Sequence, residues 1–349
     1  MTATYLSSPI QFFDRTNHYL IKGVRKVLLP ILRFSRRLLP YPKLWASLFG
    51  KQVPKNCIAG QDSRLFRPES VVFSPSGDLM VVSNSGKHAV NIYTKGPQAK
   101  GAFSVRPNCV VSDEALLSYA HDSAFSPCGN FLAVVGEYSH TLSMLAVYRE
   151  SETKIRTEAL WSIQGDEHGL SYPASVAIDP SGQWLAVANR RKHGITLYRS
   201  TGVEGQFMPT PCQSIADEKL AQHGLAAPHG VDFSPDGKFL AATHKGFRQY
   251  QLDNDSGVSI FKLHSEADAG LNPIPEFIHP YGSASLHLPA FHPSGSYLAV
   301  SRSDGGIDTF EWSSAEKKLI QRDSISIFRV REGAKGMAFA TVFHQFVKT

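Results

Sequence analysis

The chain has 349 residues, 42% of them apolar, and a formal net charge of +6. That composition excludes an extended disordered polymer and is ample for one large core. Cys57, Cys109, Cys128 and Cys212 do not form a disulfide framework: equivalent positions in neighbouring repeats should lie beyond the roughly 7 Å that a bridge can span. They read as reduced thiols, which points to a cytoplasmic setting.

The charge is unevenly placed. Residues 1–51 hold nine Lys or Arg against one acid, Asp14, a net +8 that leaves −2 for the remainder. Within this stretch Tyr19, Leu20, Val24, Val27, Leu28, Ile31 and Leu32 recur at helical spacing, and Pro30 and Pro40 divide the run. The expectation is a basic, amphipathic helical extension over 1–51. It suits docking on the domain that follows, peripheral contact of residues 15–51 with an anionic membrane surface, or organelle targeting. No run approaches the roughly 18 uncharged apolar residues of a transmembrane helix.

From residue 52 onward one phrase recurs: Phe73-Ser-Pro-Ser-Gly77, Phe125-Ser-Pro-Cys-Gly129, Ile178-Asp-Pro-Ser-Gly182, Phe233-Ser-Pro-Asp-Gly237 and Phe291-His-Pro-Ser-Gly295, at steps of 52, 53, 55 and 58 residues. Such self-similarity marks an array built from one supersecondary unit. Pro presets one dihedral and Gly accepts the positive φ of a tight turn between strands.

Short β-branched and aromatic runs follow each turn: Leu79 to Val82, Phe131 to Val135, Trp184 to Val187, Phe239 to Ala242 and Tyr297 to Val300. A third run is Val90 to Tyr93, Leu142 to Tyr148, Ile195 to Tyr198, Val258 to Leu263 and Ile307 to Trp312. A fourth appears as Cys109 to Val111, Leu160 to Ile163 and Ile325 to Val330. Four antiparallel strands in each unit make one blade of a β-propeller. Gly336-Met-Ala-Phe339 matches Gly230-Val-Asp-Phe233 and starts a sixth inner strand. The fold expected over 52–349 is therefore all-β, a propeller of about six four-stranded blades, or seven if the N-terminus folds as more than one strand. The strand at Asn56-Cys57-Ile58 is expected to complete the C-terminal blade and so close the ring.

The register identifies the channel mouth. Four residues before each motif aromatic stand Glu69, His121, Ala174, His229, His287 and Lys335, with Ala174 interrupting an otherwise ionisable ring. Eight residues past each turn Gly stand Ser85, Glu137, Arg190, Lys245 and Ser303. Both series end at one face, so a polar pocket is expected there, able to take a small acidic ligand or a protein partner. Water alone would also suit such a channel. Three histidines can hold a metal, but the channel should keep those of blades two, four and five apart, so no metal site is expected. His88, His140 and His193 fall at the next turn, as polar turn or rim residues. No hydrolase elbow, phosphate loop or zinc-protease helix occurs, no cofactor is implied, and no basic-aromatic patch suggests nucleic acid.

Pro228-His-Gly-Val-Asp-Phe-Ser-Pro-Asp-Gly-Lys-Phe-Leu240 and Ile178-Asp-Pro-Ser-Gly-Gln-Trp-Leu-Ala-Val-Ala-Asn-Arg190 resemble repeats of the WD-like propellers in the lactonase (carboxymuconate cyclase) superfamily. The resemblance covers residues 55 to 349. It implies a mouth where Arg190 clamps a substrate carboxylate and His121 or Glu137 moves the proton during lactone opening. The leading expectation is a non-catalytic propeller recognising a protein or small acidic ligand, and the alternative is a lactonase-type enzyme using His121, Glu137 and Arg190. The two differ in whether those three side chains lie within one substrate's reach.

Overall fold

A computed structural model describes residues 61–95, 103–221, 226–245, 256–264, 270–282, 285–302 and 306–326, with the short strands Gln11–Phe12 and Cys57–Ile58. The helical extension expected over 1–51, the sixth inner strand and Lys335 lie outside the described residues.

The described chain forms five four-stranded antiparallel sheets, each in simple sequence order from the channel outward. The inner strands are Pro68–Phe73, Ala120–Phe125, Pro173–Ile178, Pro228–Phe233 and Leu286–Phe291. They define blades 1 to 5, and inner strands of consecutive blades pack side by side. Each repeated phrase is the turn after an inner strand, and its glycine has φ between 69° and 77°. In four blades the Ser or Asp at the second position of the phrase also caps the returning strand. Ser74, Ser126 and Ser234 Oγ accept from the N–H of Leu79, Phe131 and Phe239, and Asp179 Oδ1 accepts from Trp184 N–H.

One outer strand departs from expectation. The fourth strand of blade 5 runs over Lys318–Ser326, beginning well before Ile325, because the hairpin turns at once after Trp312 through Lys317 in the left-handed region. Cys57–Ile58 is a strand, paired in parallel with Gln11–Phe12. Its expected place against the C-terminal blade involves residues beyond 326, outside the described set.

The apolar core is divided among the blade interfaces. Leu79, Val81 and Ile92 of blade 1 meet Leu132, Val134 and Leu145 of blade 2. Trp184, Leu197 and Ile215 of blade 3 meet Phe233, Leu240 and Phe261 of blade 4. Phe239 and Ile260 continue to Phe310 and Trp312 of blade 5. Both faces of each second strand are covered, and these strands, such as Phe131–Gly136 and Trp184–Asn189, read as nearly continuous apolar runs. This leaves the strand ends at the channel mouth as the positions where polar side chains gather.

Candidate functional site

Two backbone devices, repeated from blade to blade, build the mouth. The first is an irregularity in each of the five described inner strands. Pairing shifts between Pro68 and Ser70, Ala120 and Asp122, Pro173 and Ser175, Pro228 and Gly230, and Leu286 and Pro289. The residue left unpaired is in turn Glu69, His121, Ala174 and His229, with His287 beside Leu288 in blade 5. A bulge of this kind re-aims a side chain out of the ladder. The second device lies two residues earlier. Arg67, Tyr119, Tyr172 and Ala227 all have φ between 51° and 58°. Their carbonyls accept the N–H groups of Ser85, Glu137, Arg190 and Lys245 at 3.0 to 3.3 Å. The end of each second strand is thereby pinned beside the bulge.

The three histidines form a contiguous stack. His121 meets His229 edge to face at 5.0 Å between ring centroids, and His229 meets His287 at 4.7 Å. This corrects the expectation that channel width would separate them. The methyl of Ala174, in the intervening blade, leaves room for His121 and His229 to touch. All three rings are buried. Burial holds the His229 pKa well below its ordinary value, and the charges of Lys245 and neighbouring groups lower it further, so that ring is neutral near pH 7. Among the described residues no cluster of His, Cys, Asp or Glu is arranged to hold a metal ion.

His121, Glu137 and Arg190 come together. His121 Nε2 lies 3.7 Å from Glu137 Oε2, and Arg190 Nη1 pairs with Glu137 Oε1. Glu137 is buried, whereas the Arg190 side chain is 28% exposed, so the guanidinium stands between the carboxylate and solvent. His121 Nδ1 and Arg190 Nε are buried without a hydrogen-bond partner. An unfilled donor and an unfilled ring nitrogen beside a paired carboxylate are groups that a ligand can satisfy.

Glu69 belongs to a neighbouring cluster, accepting from Tyr119 Oη at 3.0 Å and from Ser85 Oγ at 3.1 Å. Burial, and then the charge of Glu69, raise the Tyr119 pKa. Lys245 is near enough to His229 to depress its pKa, and His287 lies at the far end of the stack. Of the second histidine series, His88 and His140 are left-handed turn residues; His88 Nδ1 accepts Tyr119 N–H at 2.9 Å, and His193 faces Asp166.

Farther along the inner strands lies a buried polar link that the repeat alignment did not single out. Asp122 Oδ2 accepts from Ser175 Oγ at 2.6 Å and Val176 N–H at 3.2 Å, and Ser175 Oγ accepts from Val231 N–H. Asp232 Oδ2 accepts from Phe291 N–H at 2.7 Å. Burial raises both carboxyl pKa values, that of Asp232 to about 7. The signal available in the sequence was an acid inside an inner strand, past the mouth position, three residues before Phe125 and one before Phe233.

Residues 64–219 match the family described as Lactonase, 7-bladed beta-propeller. This span holds His121, Glu137 and Arg190. The match covers a little under half of the chain. Two solved structures, from Bacteroides fragilis and Bacteroides uniformis, each described as a "putative 6-phosphogluconolactonase", share 16% identity with it. They are covered over 73% and 74% of their length and 77% of this chain, with TM-scores of 0.53 and 0.55. At that identity the likeness shows the fold. An uncharacterized protein of Lactococcus lactis subsp. cremoris is 23% identical over 126 residues, 36% of this chain and 35% of that protein. The match thus spans about a third of the relative.

Proposed function

We propose that this protein is a hydrolase that opens a lactone bearing a carboxylate, bound at the channel mouth. The observation that carries the reading is the placement of His121 and Arg190 on the two oxygens of one buried carboxylate, Glu137. With its Nε2–H turned toward Glu137, His121 presents Nδ1 as the proton acceptor. Water adds to the lactone carbonyl while Nδ1 takes its proton, Glu137 steadies the imidazolium, and the tetrahedral adduct collapses with cleavage of the ring C–O bond. The departing alkoxide recovers the proton from Nδ1, giving the hydroxy acid. Arg190, with its Nε and second Nη unfilled by Glu137, holds the substrate carboxylate. The His121 to Glu137 separation is longer than a finished hydrogen bond, and such contacts tighten when substrate is bound. The match to the lactonase family and the description of the two Bacteroides neighbours support this chemistry.

A second reading is a non-catalytic propeller that recognises a small acidic ligand or a protein at the same mouth. The near-complete burial of His121 and Glu137 favours it. Ring opening of a panel of carboxylated lactones separates the two. Under the enzymatic reading wild-type protein turns over at least one of them, and His121→Ala and Arg190→Ala each lower kcat/KM by about a hundredfold or more. Absence of turnover across the panel would favour the binding role, and turnover indifferent to both substitutions would remove His121 and Arg190 as its source.

A further inference from the structure

One side of the mouth is an aromatic rim. Tyr119 and Tyr172 precede the inner strands of blades 2 and 3 in the left-handed region, with φ of 58° and 54°, where bulky residues stand only under constraint. Tyr138, the residue after Glu137, lies between them. Its ring stacks on Tyr119 at 4.4 Å and 26° between planes, and meets Tyr172 edge-on at 6.5 Å. The Arg67 guanidinium lies 5.7 Å from the Tyr119 ring centroid and that of Arg191 lies 4.4 Å from the Tyr172 centroid. His140 packs against Tyr172 from the turn that carries Tyr138.

Accessibility orders these groups along the path of a ligand. His121 and Glu137 are buried, Arg190 is partly open, and Tyr138 is 58% exposed. A molecule entering the mouth therefore meets Tyr138 and Arg190 before it reaches the histidine. Tyr138 is already held by its two neighbours, so a ring stacking on it forfeits little additional side-chain freedom. The flanking arginines occupy the faces of Tyr119 and Tyr172 and add positive charge, which suits an anion.

We propose that Tyr138, braced by Tyr119 and Tyr172, is a specificity-determining stacking site for a flat, conjugated group on an acid whose carboxylate Arg190 holds. The inference rests on the carboxylate-binding role given to Arg190 above. It adds that unsaturated or aromatic acids are preferred to saturated acids of similar length.

Calorimetric titration with cinnamate and with 3-cyclohexylpropanoate tests this on the full chain. An aromatic stacking contact corresponds to about a two- to tenfold preference, so wild-type protein should bind cinnamate tighter by that factor. Tyr138→Ala should abolish the preference and Tyr138→Phe should retain it, while Arg190→Ala weakens both acids. Equal binding of the two acids by wild type, or a preference that survives Tyr138→Ala, overturns the stacking site and leaves the Arg190 role standing. Failure of wild type to bind either acid, or indifference of both acids to Arg190→Ala, overturns the carboxylate role and the stacking proposal with it.

Discussion

The hydroxyl of Tyr119 donates to Glu69 Oε1 at 3.0 Å, joining the start of blade 2 to the bulge of blade 1. The same tyrosine offers its carbonyl to Glu137 N–H and its ring to Tyr138. One residue thus holds a buried carboxylate, fixes the end of the second strand and supports the rim. Removing only the hydroxyl separates these roles. Tyr119→Phe is expected to lower stability by about 1.5–3 kcal/mol, the worth of a hydrogen bond to a charged group, with the ring contacts kept. The check is a shift of the urea midpoint at unchanged m-value.

Gly230 sets the spacing of the inner strands of blades 4 and 5. A Cβ added there would lie 2.5 Å from the carbonyl oxygen of His287 and from Pro289 Cδ, and neither atom belongs to a flexible side-chain end. Gly230→Ala should therefore separate His229 from His287 and cost about 1–3 kcal/mol or more. Thermal unfolding reads the cost, and histidine ring NMR shifts read the separation.

His229 makes stability depend on pH. Its folded pKa lies below its unfolded one, so the unfolded chain binds the extra proton as pH falls beneath about 6.5. This contribution is present above that pH and is lost on acidification, with a limiting slope of about 1.4 kcal/mol per pH unit. Urea titrations from pH 7.5 to 5 should show a shallower loss in His229→Gln than in wild type. Parallel profiles would remove His229 as the source.

Asp232 acts in the opposite sense. Its pKa is raised to about 7, so its favourable term is full below the unfolded pKa near 3.9 and is lost as pH rises through 7. Asp232→Asn keeps an acceptor for Phe291 N–H and carries no charge. Its melting temperature relative to wild type should be higher at pH 8 than at pH 5.

The propeller was legible because its turn chemistry is local. Pro and Gly at fixed places impose the corner without reference to the rest of the chain, and the register counted from them found Glu69, His121, His229 and His287 together with Glu137, Arg190 and Lys245. The bulges were not legible, since the inner strands mix polar and apolar residues without strict alternation and an extra residue leaves no break in such a pattern. The contact between His121 and His229 was missed for a related reason: the spacing between blades was weighed without the volume of the residue in the intervening blade. The aromatic rim could have been found by the same count, six residues before the motif aromatic, where Arg67, Tyr119, Tyr172 and Ala227 stand. Tyr138 has no such series, and only its contacts reveal it.

Ala174 makes no hydrogen bond through its side chain and carries no charge, yet it determines which polar residues are neighbours. A larger side chain at that point would act as a wedge, dividing the stack into a lone His121 beside Glu137 and a separate pair formed by His229 and His287. The chemistry of the mouth could thus diverge between descendants of this chain through a change in bulk at one apolar position, with every ionisable residue left in place.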